Sequence, residues 1–457
     1  MKKIIIGIIL FCGLIFGGCK DEFLAAKPDK ALLIPTTLID MRLLLDNISI
    51  MNNCPGYQEI ASDDFYATTT GYTAFGVAER NAYIWAKDIY EGTNGPDWNS
   101  AYKQIFYANL VLDGLKLLND NQNTTAKEIE GTAYFYRGIA LFYLAQLFAA
   151  PYQSATASIE LGLPIRLSAN VNEKSVRGNL QQTYNQILDD IKSAEMLLPA
   201  QTTVKSRPNK AAVYALLSRV YLSMSAYTDA IRYADLTLNL NGKLIDYNNL
   251  SITPISLSFP TSLPNGNDEV IFHTSLPNYG FFTITRTIVD SELYNSYSSN
   301  DLRKVLYYAD RGVGGFSFRG SYSGPSTPAS IFGGLATDEV YLNKAECLAR
   351  SGDAKAAMDN LNLLLINRMI KGTFVPMQAA NADDALVKVL TERRKELVRR
   401  GIRWTDLRRL NLDKRFSKTI ERDVNGTIYT LLPNSKQYVL PIPDNEIKTS
   451  GIEQNER

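Results

Sequence analysis

Ala211 to Leu240 aligns without a gap on Asp338 to Asn367, an offset of 127 residues. Val213 and Tyr214 fall on Val340 and Tyr341, Val220 on Cys347, Ala230 on Ala357, Ile231 on Met358 and Leu238 on Leu365. Each copy reads as a helix, a short turn (Ser225-Ala226-Tyr227 or Ser351-Gly352-Asp353) and a second helix. The small residues Ala230, Ala234, Ala356 and Ala357 stand where two helices must approach closely. A hairpin of this kind buries its apolar face only against neighbouring hairpins, which is the physics of a tetratricopeptide unit. A simple array would repeat every ~34 residues, so these hairpins are interrupted by a long insertion. The expected fold is mostly α: tetratricopeptide-like helical hairpins forming one body, with a loop-rich, short-strand insertion face.

The remaining periodicity fills in this outline. Leu38, Met41, Leu44 and Leu45 have helical spacing, and so do Trp98, Tyr102, Ile105, Phe106, Asn109 and Leu112. Glu128 to Ala149 carries aromatic residues around much of its circumference, the mark of a buried helix, and Leu180 to Leu198 follows it. Helical hairpins are expected over about 98–240 and 336–410. Aromatic, loop-rich regions are expected over about 52–95 and 241–335, with 269–272 and 281–284 as candidate strands. Phe272 to Tyr322 holds eleven aromatics in 51 residues, about twice the 10% of the whole chain.

Residues 1–18 read as a lipoprotein signal peptide. Lys2-Lys3 precedes an apolar run that is too short to span a bilayer permanently, and Gly17-Gly18 supplies the small residues before a cut at Cys19. Phe16-Gly17-Gly18-Cys19 resembles a bacterial lipobox, which makes Cys19 the expected lipid-attachment residue and membrane anchor. Residues 19–457 would then form the mature body. Losing two lysines leaves 46 basic against 47 acidic residues, a formal −1. No excess of Lys and Arg is left to displace counterions from phosphates, so nucleic acid is excluded as a partner. His273 is the one histidine, which makes a Ser-His-Asp triad or a multi-histidine metal site hard to build. Cys54 and Cys347 are too few for a disulfide framework. No cofactor is indicated.

Four stretches carry a family resemblance. They are Trp98 to Ile105 with Ala108-Asn109; Glu130 to Leu147 with Ala133, Arg137, Ala140, Tyr143 and Leu144; Glu392 to Leu397 with Gly401, Arg403-Trp404 and Asp406 to Arg409; and Leu440-Pro441-Ile442-Pro443 with Glu446-Ile447. With the lipobox, they make the chain resemble the SusD/RagB family of surface nutrient-binding lipoproteins over nearly its whole length. The resemblance implies an outer-membrane lipoprotein, facing the exterior, that binds oligosaccharides and hands them to a SusC-like TonB-dependent transporter without catalysis. Peptide binding within the same family and a helical-repeat protein adaptor are the alternatives. A surface glycosidase is disfavoured by the single histidine, although carboxylates alone suffice for that chemistry. The arginines and acids of the third stretch read as ion pairs that tie the last helices to the bundle, with Arg408-Arg409 open to a second reading as an anion site. Trp98 and Trp404 read as core.

Sugar rings offer C–H faces that stack on aromatic side chains, and hydroxyls that need planar polar partners. A glycan site is therefore expected where aromatics and short polar residues mix on loops held by a rigid scaffold. Two stretches qualify. The first offers Asp63, Asp64, Tyr66, Tyr72, Phe75 and Trp85; the second offers Tyr279, Arg286, Tyr294, Tyr297, Phe316, Arg319 and Tyr322. Each of these residues has core or partner contact as its competing use. Asp63-Asp64 as a metal site has no supporting pattern, and no metal is expected. Trp85→Ala or Tyr297→Ala is expected to weaken ligand binding without changing the thermal melt.

Overall fold

A computed structural model describes residues 35–118, 123–252, 257–310, 312, 314–325 and 330–457. The expected signal peptide and Cys19 lie outside these residues. The longer helices are α1 (Leu38–Leu45), α2 (Pro96–Leu118), α3 (Thr124–Phe148), α4 (Leu180–Leu197), α5 (Lys210–Ser223), α6 (Tyr227–Leu240), α7 (Thr337–Arg350), α8 (Ala354–Leu365), α9 (Ala382–Glu396), α10 (Arg403–Leu410) and α11 (Asp444–Ser450). Short polar residues start many of them. Asn179, Asn209, Asp353 and Asn381 each accept a backbone N–H of the first turn, and Gln182 completes a capping box with Asn179.

The repeat is realised as an α5–α6 hairpin and an α7–α8 hairpin. The left-handed turn residue of the first, Ser225 (φ 60°), and that of the second, Gly352 (φ 94°), stand 127 positions apart. Arg219 of α5 joins the two units, donating to both carboxylate oxygens of Glu339 on α7 at 2.7 and 2.5 Å. α3 is buried nearly all round, as its aromatic circumference requires, and packs against α2 and α4. Its Arg137 makes a bidentate bond to Asp190 of α4 and donates to Asn109 of α2, so three helices share one guanidinium.

The two aromatic-rich regions lie against each other rather than forming separate faces. Strand β1 (Phe65–Ala67) pairs antiparallel with β2 (Thr287–Val289), and β3 (Tyr308–Asp310) pairs with β4 (Phe316–Phe318). Val270–Phe272 is a strand as expected, but the expected strand at 281–284 is a 3-10 turn over Gly280–Phe282. Phe281 and Phe282 are both buried there, whereas a strand would send neighbouring side chains to opposite faces.

Arginines bind this loop layer to the helices. Arg303 meets Asp301, Glu392 and Glu396, and Arg368 meets Glu269 and Glu396, all buried. Arg393 pairs with Asp406, and Arg409 pairs with Glu346 and Asp406. Arg408 donates to the carbonyls of Gln146 and Ala149, where a cation complements the C-terminal end of α3. Arg408 and Arg409 thus serve structure, and neither is free to bind an anion. His273 is buried between Ser262 and Ser275, and burial lowers its pKa to about 4, so the ring is neutral at pH 7. Cys54 and Cys347 are free thiols.

Candidate functional site

The candidate surface lies where β1 and β2 pair. Phe65 stands opposite Val289 and both point inward, while Tyr66 stands opposite Ile288 and both face outward, half-buried. Ser317 of β4 donates to the Thr287 carbonyl at 3.3 Å, which brings β4 alongside β2. Gly315 sits close against Ile288, where an added Cβ would come within 3.2 Å of it. Phe316 then lies parallel to Tyr294, with ring centroids 4.0 Å apart and planes 12° apart, and Lys304 Nζ lies 4.7 Å from the Tyr294 ring. Both rings are half-buried. Asp290 and Asp310 add acidic groups beside Tyr66 and Tyr294. Burial raises the Tyr66 phenol to about 12, so it stays a neutral donor.

Tyr72 extends this surface from the short helix Thr69–Thr73, which is anchored to the start of β2. Thr68 donates its backbone N–H to the Arg286 carbonyl at 2.9 Å, and a Cβ on Gly71 would meet that same carbonyl at 2.2 Å. Arg286 in turn reaches the Ala74 carbonyl. Two loops some two hundred positions apart in sequence therefore meet here, and Tyr66, Tyr72, Arg286, Tyr294 and Phe316 are each half-buried on them. The chemistry there is that of stacking rings flanked by fixed charges and amphoteric hydroxyls.

The other candidates lie in the interior, except Tyr279, which is half-buried with its hydroxyl committed. Trp85 is 1% exposed and donates its indole N–H to the Ala61 carbonyl. Tyr297 is 2% exposed and donates to the Lys395 carbonyl at 2.7 Å. Phe75 packs against Tyr83 and Phe281. Tyr322 donates to Glu269 at 2.8 Å, and Arg319 is buried and donates to the Val305 carbonyl. Tyr279 stacks on Tyr57 and gives its hydroxyl proton to buried Asp97 at 2.6 Å. Asp63 and Asp64 are buried and held by Arg403, Arg394 and Lys418, so guanidinium groups take the place a metal ion would need. For the aromatic residues the reason is common: a layer without long helices still needs a core, and its aromatics supply one. Ile288 and Lys304 belong to the surface but gave no aromatic or acidic signal in the sequence.

A wider cleft of about 650 Å³ opens between Pro151, Glu160, Asn434, Lys436 and Glu453. Its one aromatic, Tyr438, is buried against Trp404, so it offers no ring to stack on.

A family model described as starch-binding and associating with the outer membrane matches residues 22–222, and the SusD family model matches residues 337–456. The chain belongs to the SusD family. A SusD-like protein P2 of Formosa agariphila is 27% identical over 161 residues, which cover 34% of this chain and 30% of that relative's length. Among solved structures, a SusD superfamily protein of Bacteroides thetaiotaomicron is 24% identical, with a TM-score of 0.74 over 92% of this chain and 100% of that one. A putative sugar binding protein of Bacteroides vulgatus is 22% identical, with a TM-score of 0.73 over 93% and 99%. These likenesses establish the mostly helical SusD fold. No described helix is long and apolar enough to cross a membrane.

Proposed function

We propose that this SusD-family protein is an outer-membrane lipoprotein, anchored through acylated Cys19. In this reading it binds oligosaccharides at the Tyr66–Tyr72–Tyr294–Phe316 surface and passes them, unaltered, to a SusC-like TonB-dependent transporter. The observation that carries the binding reading is the parallel, half-buried Tyr294–Phe316 pair, with Phe316 on β4 and Tyr294 on the short helix Ser291–Asn295. Stacked on each other, the two rings leave their outer faces for sugar C–H groups, that of Tyr294 shared with Lys304, and Asp290 and Asp310 stand near to meet hydroxyls. The family's outer-membrane association and the sugar-binding relative agree with this reading. The surface is read as a recognition site, and buried, neutral His273 is not one of its residues.

A glycan array probed with the mature chain, followed by calorimetry on the hits, tests the proposal. Binding to a defined set of saccharides is expected. Retention of a peptide pool with no saccharide bound would overturn the sugar assignment, and release of product from a labelled glycan would overturn the absence of catalysis.

A further inference from the structure

The first and fourth stretches of the family resemblance meet at a cavity that shares no residue with the loop surface. Trp98, Tyr102, Phe106 and Asn109 recur along one face of α2, and that face is covered by residues 164–175 and flanked by Glu446 of α11. The cavity holds about 180 Å³. A space of ~150 Å³ already accommodates a six-membered ring such as benzene.

Its floor is aromatic. The Trp98 and Tyr102 centroids are 4.7 Å apart, and Phe106 adds a half-buried ring. Its wall is pinned in place. Asn109 donates to the carbonyls of Arg166 and Ser168 at 3.0 and 3.2 Å, Asp113 accepts the Ala169 N–H at 2.9 Å, and Tyr102 donates to the Pro164 carbonyl at 2.8 Å. A ligand entering here does not have to order the loop first. The Glu446 carboxylate is half-buried beside Tyr102 and makes no ion pair or hydrogen bond among the described residues. Rings on one side and an unengaged two-oxygen acceptor on the other suit a molecule with apolar C–H faces and a rim of hydroxyl donors.

We infer that this cavity is a second saccharide subsite, taking one pyranose ring stacked on Tyr102 and Phe106 with its hydroxyls donating to Glu446. The inference rests on the glycan-binding reading, but its test is separate. The chain has three tryptophans, of which Trp98 lines the cavity while Trp85 and Trp404 are buried under Arg422 and against Tyr438. Full-length mature protein labelled with 5-fluorotryptophan should give three fluorine resonances, with Trp98 assigned through Trp98→Phe. The probes are the methyl glycosides of glucose, galactose, mannose and N-acetylglucosamine.

A saturable shift of the Trp98 resonance with at least one glycoside is expected. Phe106→Ala and Glu446→Gln should each weaken it at least tenfold, and Tyr294→Ala should leave it unchanged. Should Phe106→Ala unfold the chain, the isosteric Glu446→Gln still decides the matter. A Trp98 resonance that ignores all four glycosides, or a shift that survives Glu446→Gln, overturns the subsite. Glycan binding that depends on Phe316 while Trp98 stays silent removes the subsite and leaves the main reading standing. Trp98 responding when no glycan depends on Tyr294 or Phe316 does the reverse.

Discussion

Burying a guanidinium away from water is costly unless something replaces its hydration. In this chain aromatic rings often do so. Arg422 lies 3.8 Å from the Tyr83 centroid and 4.5 Å from that of Trp85, and Arg399 lies 3.7 Å from Phe65 and 4.6 Å from Phe281. The aromatic composition of the loops was legible in the sequence, but its division into core and surface was not, because the deciding partners are arginines more than a hundred positions away. Trp85→Ala should therefore cost about 3–5 kcal/mol of stability, seen as a large fall in melting temperature, while the folded fraction binds ligand normally. Tyr297→Ala should behave alike. Buried acids add a pH dependence. Burial raises Asp97 from 3.8 to about 6, opposed by hydrogen bonds from Tyr279, Tyr57 and Gly56, and raises Glu59 from 4.5 to about 7, opposed by Arg399. A raised carboxyl pKa favours the folded state below the unfolded value, and that contribution disappears as pH rises through the folded value. Wild-type protein should gain melting temperature between pH 8 and 5.5 relative to Glu59→Gln; equal pH slopes for the two would contradict this assignment.

At the level of elements, the helical hairpins were legible as a class because a 3.6-residue period is a local signal. The pairing of β1 with β2 was not readable, since three-residue strands carry too little pattern to name a partner. That pairing, and the close approach of Gly71 to the Arg286 carbonyl, are what bring two sequence-distant loops to one surface. Gly71→Ala should push the Thr69–Thr73 helix away from β2 and lower ligand affinity together with the melting temperature. A clasp ties α10 to the first loop: Arg403 bonds both oxygens of buried Asp63 at 2.6 and 2.9 Å. Arg403→Ala leaves that carboxylate short of a partner and should cost about 3–5 kcal/mol. Denaturant unfolding measures it, and a loss below about 1 kcal/mol, the value of an exposed pair, would show that Lys418 and Arg394 already satisfy Asp63.

Over the whole molecule, the helices form a frame whose ion pairs reach into the loop layer, and the loop layer spends most of its aromatics on its own interior. Among what remains half-exposed is the Tyr66, Tyr72, Tyr294 and Phe316 set, and the proposed recognition rests on it. The family was legible from four motif stretches, whereas the site was legible only in part. Tyr66, Tyr72, Arg286, Tyr294 and Phe316 lie at the surface; Asp63, Asp64, Phe75, Trp85, Tyr297, Arg319 and Tyr322 turned inward, and Tyr279 is half-buried with its hydroxyl committed to Asp97. The most direct test is calorimetric titration of the mature chain and of Tyr294→Ala, Phe316→Ala and the double variant with the strongest array-selected oligosaccharide. Each single change should weaken binding about tenfold, in line with the loss of one stacking contact of ~1.4 kcal/mol, with melting temperature held within a few degrees. Unchanged affinity in the double variant would contradict the account.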